Sequence, residues 1–215
     1  MTRTINALPG TVRVLLLRSD GPAFSAGLDL SQASGLVELA SRSSDEALGT
    51  IQSYQEAFGL AARPGLVSVA LVQGFAIGAG LQLALGADIR IAADDAQFSM
   101  AEVTLGLVPD LGGTKRLVEL VGYSRAASLC LTGRRISAAE ADRIGLVSEV
   151  VPAAELDATG DRFVSQILQL QRDAVIEVKA LLLTAAGNTQ SEQESAEREA
   201  QYRRLRALAG LDAEA

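Results

Sequence analysis

The sequence predicts an α/β protein in which buried strands alternate with helices. Three short runs, at residues 12–17, 66–72 and 88–92, are predicted to be strands, and the first two have the apolar composition of buried strands. Helical patterns separate these runs, and helices predominate beyond residue 113. A chain of 215 residues, of which 48% are hydrophobic and 21% charged, can bury one substantial core.

The N-terminal part is predicted to hold one strand and one well-defined helix. Pro9-Gly10 ends a short lead-in, and the strand at 12–17 follows. Residues 31–44, rich in serine, glycine and alanine, are interpreted as a loop or a short helix. Ser44 can cap a helix that ends before Pro64, with an apolar face formed by Leu48, Ile51, Tyr54 and Phe58.

The rest of the chain alternates more regularly. A helix at 78–86 is expected after the strand at 66–72, and a short extended piece at 98–100 after the strand at 88–92. The remaining predicted elements are helices at 114–121 and 124–132, a short helix that stops at Gly145, a strand at 146–151 and three final helices, the last at about 189–208.

Two local signals support these helices. Ser137 and Glu140 have the spacing of a capping box, which satisfies free N–H groups at a helix start. Glu199 and Arg203 are four residues apart and are expected to form an ion pair along the last helix.

Composition excludes several classes of function. Because the chain has no histidine, Ser-His and Cys-His nucleophilic systems and histidine-ligated metals are impossible. Proton transfer therefore falls to carboxylates, lysine, tyrosine or water. A net charge of −7 argues against nucleic acid and anionic membranes as partners. The single cysteine, Cys130, excludes an internal disulfide, fits a reducing compartment and, among apolar neighbours, favours a packing role.

Two segments bear on location. The start of the chain lacks the apolar core of a signal peptide, so we expect a cytoplasmic protein. Residues 64–87 carry no charge and are long enough to cross a bilayer. However, five glycines together with Gln73 and Gln82 favour a buried strand, a sharp turn and a buried helix in that stretch.

Two turns rich in glycine and alanine, at residues 23–30 and 74–82, stand where a strand passes into a helix. Small residues let the backbone approach a ligand closely, and the first N–H groups of a helix have no partner within it. If both turns meet at one carbonyl oxygen, they form an oxyanion hole. Tight packing alone is the other explanation, whereas a dinucleotide-binding motif would need a third glycine and an acidic residue that are missing.

Three polar side chains near the second turn could supply chemistry: Gln82, Glu102 and Asp110. A carboxylate beside an oxyanion hole can remove a proton next to a carbonyl while the hole stabilises the enolate. Each also has a plainer explanation: a buried, hydrogen-bonded role for Gln82, a solvated loop position for Glu102 and an ordinary turn for Asp110. The residues alone leave these alternatives open.

Five segments together resemble the enoyl-CoA hydratase/isomerase (crotonase) superfamily in order and spacing. They are residues 23–30, 74–80, 96–98, 107–114 and 131–141, within a similarity that covers about residues 12–152. The resemblance implies a crotonase-like spiral of strand–strand–helix units with a C-terminal helical region. It also implies an acyl-CoA thioester as the substrate, with no cofactor and no metal.

The resemblance assigns roles to individual residues. The backbone N–H groups of Ala26 and Ala79 match the oxyanion-hole donors, and Glu102 matches the second of two glutamates that hydratases use to add water. Asp110 matches a loop position at which some isomerases carry a catalytic aspartate. The implied substrate-binding residues are Ala26, Gly27, Leu28, Asp29, Leu30, Ala79 and Gly80, and residues 31–60 are expected to shape the acyl-tail pocket.

Gln82 departs from the hydratase pattern because it occupies the position of the first glutamate. An amide can orient substrate or water but cannot act as a general base at neutral pH. The resemblance therefore favours double-bond isomerisation through a thioester enolate over hydration. The alternative is a non-catalytic family member that binds acyl-CoA or a protein partner.

The resemblance also suggests how the chain is organised. The opening strands and the Arg-Pro segment of the family are not visible, so we expect an acyl-CoA-binding core at residues 1–152 that is N-terminally shortened. Residues 153–215 are expected to be a helical oligomerisation region of a homotrimer or homohexamer. Its apolar stripe comprises Leu156, Phe163, Ile167 and Leu170.

Overall fold

Two β-sheets and a succession of helices make up the structure, a computed structural model that describes residues 7–29 and 33–211. The strands in this part are β1 (Val14–Leu17), β2 (Val67–Val72), β3 (Phe75–Ile77), β4 (Ile89–Ala93), β5 (Gln97–Ser99), β6 (Ile136–Ser137) and β7 (Glu149–Val151). The α-helices are α1 (Ala33–Ser41), α2 (Ser44–Phe58), α3 (Ala79–Leu85), α4 (Gly113–Val121), α5 (Tyr123–Thr132), α6 (Ala138–Arg143), α7 (Leu156–Gln169), α8 (Arg172–Ala185) and α9 (Gln190–Leu208).

From β2 to β5, successive strands alternate between the two sheets. The first sheet is parallel, in the order β1-β2-β4-β7, and the second has the order β3-β5-β6, with β6 antiparallel. The chain passes from β2 directly to β3 and then into α3, and from β4 to β5 and then into a 3-10 helix at Glu102–Leu105. This order of strand, strand and helix confirms the predicted α/β class.

Burial explains why β2 is apolar at every position except Ser68. Every residue of β2 is buried, because α7 and α3 cover the sheets from opposite sides. A parallel strand that is covered on both faces has no position at which a polar side chain could reach water. Strand β3 was not predicted as a separate strand, since its three residues lie between Gly74 and Gly78 and are too short to show an alternating pattern.

Helix ends differ from the predicted ones in two places. The cap of α2 is Ser43 rather than Ser44, because the side chain of Ser43 accepts from the N–H of Glu46 and the Glu46 carboxylate accepts in return. At α6 only half of the predicted capping box forms. The Ser137 hydroxyl accepts from the N–H of Glu140, but the Glu140 carboxylate pairs with Arg134 at 2.7 Å. Residues 33–41, interpreted as a loop or short helix, form α1.

The C-terminal helices are attached to the sheet as well as to one another. Lys179 of α8 is buried, and its ammonium group donates to the carbonyl of Leu66 and, at 2.8 Å, to Asp88. Asp88 also accepts from the N–H and hydroxyl of Ser68, both at 2.7 Å. The carboxyl group of Asp88, at the start of β4, therefore has a structural role.

The apolar stripe of α7 faces the chain's own core and not a neighbouring subunit. Leu156 and Phe163 pack against Leu71 and Ile91 of the first sheet, and Ile167 is 9% exposed. Of the predicted stripe, only Leu170, at 57%, is exposed. The argument that this stripe needs an intersubunit partner is therefore wrong.

The last helix pairs with its neighbour. Arg203 of α9 donates to both carboxylate oxygens of Glu177 on α8, at 2.8 and 2.9 Å. The predicted partner was Glu199 on the same helix. A planar guanidinium matches a carboxylate best in this two-bonded geometry, which the neighbouring helix offers.

The uncharged stretch 64–87 is accounted for by β2, β3 and α3. Within residues 7–29 and 33–211, no helix combines the length and apolar character that crossing a bilayer requires.

Candidate active site

The two glycine- and alanine-rich turns lie against each other. Phe24 and Ser25 donate their N–H groups to the carbonyls of Gln73 and Phe75, at 2.9 and 2.8 Å, and the N–H of Ile77 donates to the carbonyl of Ser25 at 3.0 Å. The first turn thus adds to the edge of β3 through a bridge between Ser25 and Ala76.

Two glycines make this approach possible. A β-carbon at Gly80 would lie 2.4 Å from the carbonyl oxygen of Ser25, and one at Gly27 would lie 2.6 Å from that of Ile77. Any side chain there would force the turns apart, which explains why both turns are so rich in small residues. Gly80 serves this packing and is not part of the cavity wall.

Ala26 and Ala79, whose backbone N–H groups are the predicted oxyanion-hole donors, line the same cavity. Ala79 is the first residue of α3, where intrahelical bonding leaves N–H groups free. In the described part of the chain, neither group has a hydrogen-bond acceptor. Two unpaired N–H groups on one cavity wall can donate to the oxygen of a bound carbonyl and stabilise negative charge as it develops.

The cavity has a volume of about 410 Å³ and is mainly apolar. The two turns form one wall, and the 3-10 helix with the loop at 107–111 forms another. The far wall comes from α1 and α2, through Leu36, Leu39, Ile51 and Tyr54. Ile51 and Tyr54 belong to the helix face predicted from sequence, and Leu36 and Leu39 lie in the segment interpreted as a loop or a short helix.

Glu102 begins the 3-10 helix and lines this cavity. Its Oε1 accepts from Nε2 of Gln82 at 2.7 Å, and a β-carbon at Gly78 would lie 3.3 Å from the same oxygen. Its Oε2 is buried and has no hydrogen-bond partner among the described residues. Burial raises the pKa of Glu102, the bond from Gln82 lowers it, and the charge of Asp110 raises it.

Gln82 is 1% exposed and lies one turn into α3. Its amide oxygen accepts from the N–H groups of Leu111 and Gly113, at 2.8 and 3.3 Å, while its amide nitrogen donates to Glu102. Both the oxygen and the nitrogen of this amide bond to protein groups, and its predicted role in orienting substrate or water stays a prediction.

Asp110 lines the cavity beside Leu111. Its backbone carbonyl accepts from Nε2 of Gln55 on α2 at 2.8 Å, so the loop is tied to the helix that forms the far wall. Cys130 packs against the core as predicted, and burial, followed by the charge of Glu102, raises the pKa of its thiol.

The structure therefore brings most of the predicted site residues to one cavity. Ala26, Gly27, Leu28, Ala79, Gln82, Glu102 and Asp110 line it. Asp29 is described but does not line the cavity wall, and Leu30 lies outside the described residues. The roles of these residues stay predictions.

Comparison with known proteins agrees with this geometry. The sequence model of the enoyl-CoA hydratase/isomerase family matches residues 4–208. A probable enoyl-CoA hydratase of Mycobacterium bovis is 33% identical over 181 residues, which cover 84% of this chain and 67% of the relative. A peroxisomal Δ(3,5)-Δ(2,4)-dienoyl-CoA isomerase of Arabidopsis thaliana is 39% identical over 153 residues, covering 68% of this chain and 55% of the relative.

Solved structures show the same architecture. A protein of Thermobifida fusca YX assigned as an enoyl-CoA hydratase, in complex with acetoacetyl-CoA, is 45% identical, with a TM-score of 0.89 and coverage of 95% of this chain and 82% of that chain. An enoyl-CoA hydratase of Polaromonas sp. JS666 is 29% identical, with a TM-score of 0.86 and coverage of 95% and 79%. The matches span between about one third and two thirds of the length of the curated relatives.

Proposed function

The chain belongs to the enoyl-CoA hydratase/isomerase family, and we propose that it shifts a double bond in an enoyl-CoA thioester, with Glu102 as the proton carrier. One observation carries the proposal. The Oε2 atom of Glu102 is buried without a hydrogen-bond partner in the described structure, on a cavity where two backbone N–H groups are also unpaired.

The oxyanion site accounts for how the thioester is activated. The carbonyl oxygen accepts from the N–H groups of Ala26 and Ala79, at the positive end of α3. These donors are fixed by the packing of Gly27 and Gly80 and need not reorganise as charge develops. The C–H group next to the thioester carbonyl therefore becomes more acidic through hydrogen bonds from the protein backbone.

Proton transfer then needs one base. Oε2 of Glu102 removes a proton from C2 of a 3-enoyl-CoA, and the C–H electron pair forms the C1–C2 double bond of a dienolate whose charge rests on the thioester oxygen. Return of the proton to C4 converts the C3–C4 double bond into C2–C3 and restores the carbonyl. The proton taken from C2 is delivered to C4, so no co-reactant is consumed.

The raised pKa of Glu102 suits both halves of this cycle. A carboxylate whose pKa lies closer to neutrality is a stronger base, and its acid form returns the proton more readily. Asp110 is a second candidate carrier because it lines the same cavity.

The identity of residue 82 supports isomerisation over hydration. Addition of water needs a group that deprotonates water and a proton source for the α-carbon, and the amide of Gln82 cannot serve as the base. Both ends of this amide are already bonded within the protein. Relatives named as hydratases and as an isomerase both match the chain, so the choice depends on the site itself.

Replacement of Glu102 by glutamine tests the proposal. Turnover of a 3-enoyl-CoA to its conjugated 2-isomer, followed by ultraviolet absorbance, is expected to fall about 10²-fold or more. Binding of the CoA ester, measured by calorimetry, should change little, because the side chain keeps its size and can still accept from Gln82.

Glu119→Gln provides the matched control, since Glu119 pairs with Lys115 on α4 and does not line the cavity. Asp110→Asn shows whether a second carboxylate contributes. Turnover of the Glu102 variant within threefold of the parent would contradict the proposal. Binding of the CoA ester by a parent protein that neither isomerises nor hydrates it would favour the non-catalytic alternative.

A further inference from the structure

The side chain of Gln82 is an internal connection between three segments that surround the cavity. It extends from α3, donates to Glu102 at the start of the 3-10 helix and accepts from two N–H groups at the start of α4. Its position in the sequence suggests a group that contacts substrate. Its hydrogen bonds are all to protein.

We infer that Gln82 is a positioning residue, which holds Glu102 and the 107–113 loop in one arrangement and leaves Oε2 as the oxygen of the Glu102 carboxylate that is free to carry a proton. The inference deepens the proposed isomerase function and rests on it. In this role Gln82 orients other groups of the protein. The role differs from that of the glutamate in the hydratase pattern, and it does not require the amide to transfer a proton.

The start of α4 shows why this amide is needed. The N-cap of α4 is Gly112, which has no side chain to accept from the first N–H groups of the helix. The oxygen of Gln82 accepts from Leu111 and Gly113 in its place. A β-carbon at Gly113 would lie 2.7 Å from Cγ of Gln82, so the loop and the side chain are packed in direct contact.

The cap also fixes which end of the amide faces Glu102. Reversal would direct the NH₂ group toward two N–H donors and the oxygen toward a carboxylate, so both contacts would be repulsive. The amide nitrogen of Gln82 therefore faces Glu102 and donates a hydrogen bond to its Oε1. The cap of α4 thus determines which carboxylate oxygen remains free.

Gln82 also influences the charge of Glu102. Its hydrogen bond lowers the pKa of a carboxyl group whose pKa burial and the charge of Asp110 raise. The other titratable group that interacts with Glu102 is Cys130 on α5, which stays a neutral thiol because its pKa is raised. Without the amide donor, the pKa of Glu102 should rise further.

The test compares Gln82→Met with Gln82→Glu. Methionine keeps the volume but removes every hydrogen bond, so kcat for the 3-enoyl-CoA should fall about tenfold with KM nearly unchanged. The acidic limb of kcat/KM, which reports a group of the free enzyme, should move to higher pH.

Glutamate separates the structural role from the positioning role. Its carboxylate can still accept from Leu111 and Gly113, so the melting temperature should return toward that of the parent. However, two carboxyl groups would then share one proton, and the single acidic limb should be replaced by two ionisations. If the methionine variant does not fold, this second variant still tests the inference through its pH profile.

Gln193→Met is the matched control. Gln193 bonds to the carbonyl of Leu181 and to Asn188, between α8 and α9 and away from the cavity. The Gln193→Met variant should be less stable than the parent, but the acidic limb of its kcat/KM profile should stay at the same pH. If the parent enzyme is active and the acidic limb of kcat/KM is unshifted in both Gln82 variants, the inference is overturned while the proposed function stands. An inactive parent would instead contradict the proposed function.

Discussion

Glu102 is held in surroundings that disfavour its charge. One carboxylate oxygen has a single hydrogen bond from Gln82, the other is buried without a partner in the described structure, and Asp110 adds a like charge nearby. A solvated carboxylate would make more hydrogen bonds. The folded protein therefore gives up stability at this residue, as is common where a side chain must react.

This cost should be measurable as a dependence of stability on pH. Burial raises the pKa of Glu102 in the folded state above its unfolded value, so the folded protein binds more protons between those two pKa values. Its contribution to stability therefore falls as pH rises through that window. Glu102→Gln, which has no charge to bury, should melt at a higher temperature than the parent at about pH 8, and the difference should shrink toward about pH 4.

Thermal melts of both proteins across this range check the prediction. The other carboxyl groups contribute equally to the two proteins and cancel in the difference. A variant that is less stable than the parent at the upper pH would show that the Glu102 carboxylate is stabilised by interactions that the structure lacks.

Helices α1 and α2 shape the cavity far from the reacting atoms. Leu39, Ile51 and Tyr54 give this wall an apolar surface, and Gln55 ties α2 to the loop that carries Asp110. No residue of α2 is buried in the core, so the helix can change its side chains with little effect on the fold. We expect this wall to set the length of acyl chain that the site accepts.

Ile51→Trp should therefore shorten the preferred substrate. Each buried methylene contributes about 0.8 kcal/mol, so excluding two of them should lower kcat/KM for a long-chain enoyl-CoA about tenfold. A four-carbon substrate should be converted nearly as before. Leu48→Trp on the same helix is the control, because Leu48 is exposed and does not line the cavity. If kcat/KM falls equally for the long-chain and the four-carbon substrate, the acyl tail does not bind against this wall.

Helix α8 is joined to the sheet through one buried ion pair. Lys179→Met would leave the Asp88 carboxylate with Ser68 as its remaining donor residue. The free energy of unfolding is expected to fall by about 2–3 kcal/mol. This is at the lower end of the range for a broken buried ion pair, because Ser68 still donates two hydrogen bonds to Asp88. The double variant with Asp88→Asn should lose less than the sum of the single changes in urea unfolding. Additive losses would mean that the pair contributes nothing as a pair.

The sequence predicted the molecule well where one local pattern decides the structure. The strands predicted at 66–72 and 88–92 are β2 and β4 of the structure, and the two small-residue turns meet at one cavity. It failed where the outcome depends on a distant contact. The hydrogen-bond partners of Gln82 could not be predicted, because Glu102, Leu111 and Gly113 lie 20 to 31 positions away in the sequence. The stripe on α7 was misassigned because periodicity shows that a face is buried but not what covers it.

The outer surface of α8 and α9 is the more promising site of self-association. Leu182 and Leu208 are 71% and 75% exposed there, and Val178 and Leu205 add to the same helices. Isolated exposed apolar residues are ordinary, but several on two packed helices form a surface that a further chain could cover. Exposed apolar residues on α8 and α9, and not the stripe on α7, therefore support the prediction that residues 153–215 mediate oligomerisation.

The whole chain is therefore predicted to form a trimer or a hexamer, in which Leu182 and Leu205 are covered. Light scattering should give three or six times the mass of one chain at micromolar concentration. Leu182→Glu combined with Leu205→Glu should dissociate the assembly, because burying two carboxylates without partners costs several kcal/mol per subunit. Leu48→Glu, an equal change on α2, should leave the mass unchanged. A monomeric parent would contradict the prediction, whereas an assembly that survives the double change would show that another surface, such as the exposed face of α5, forms the interface.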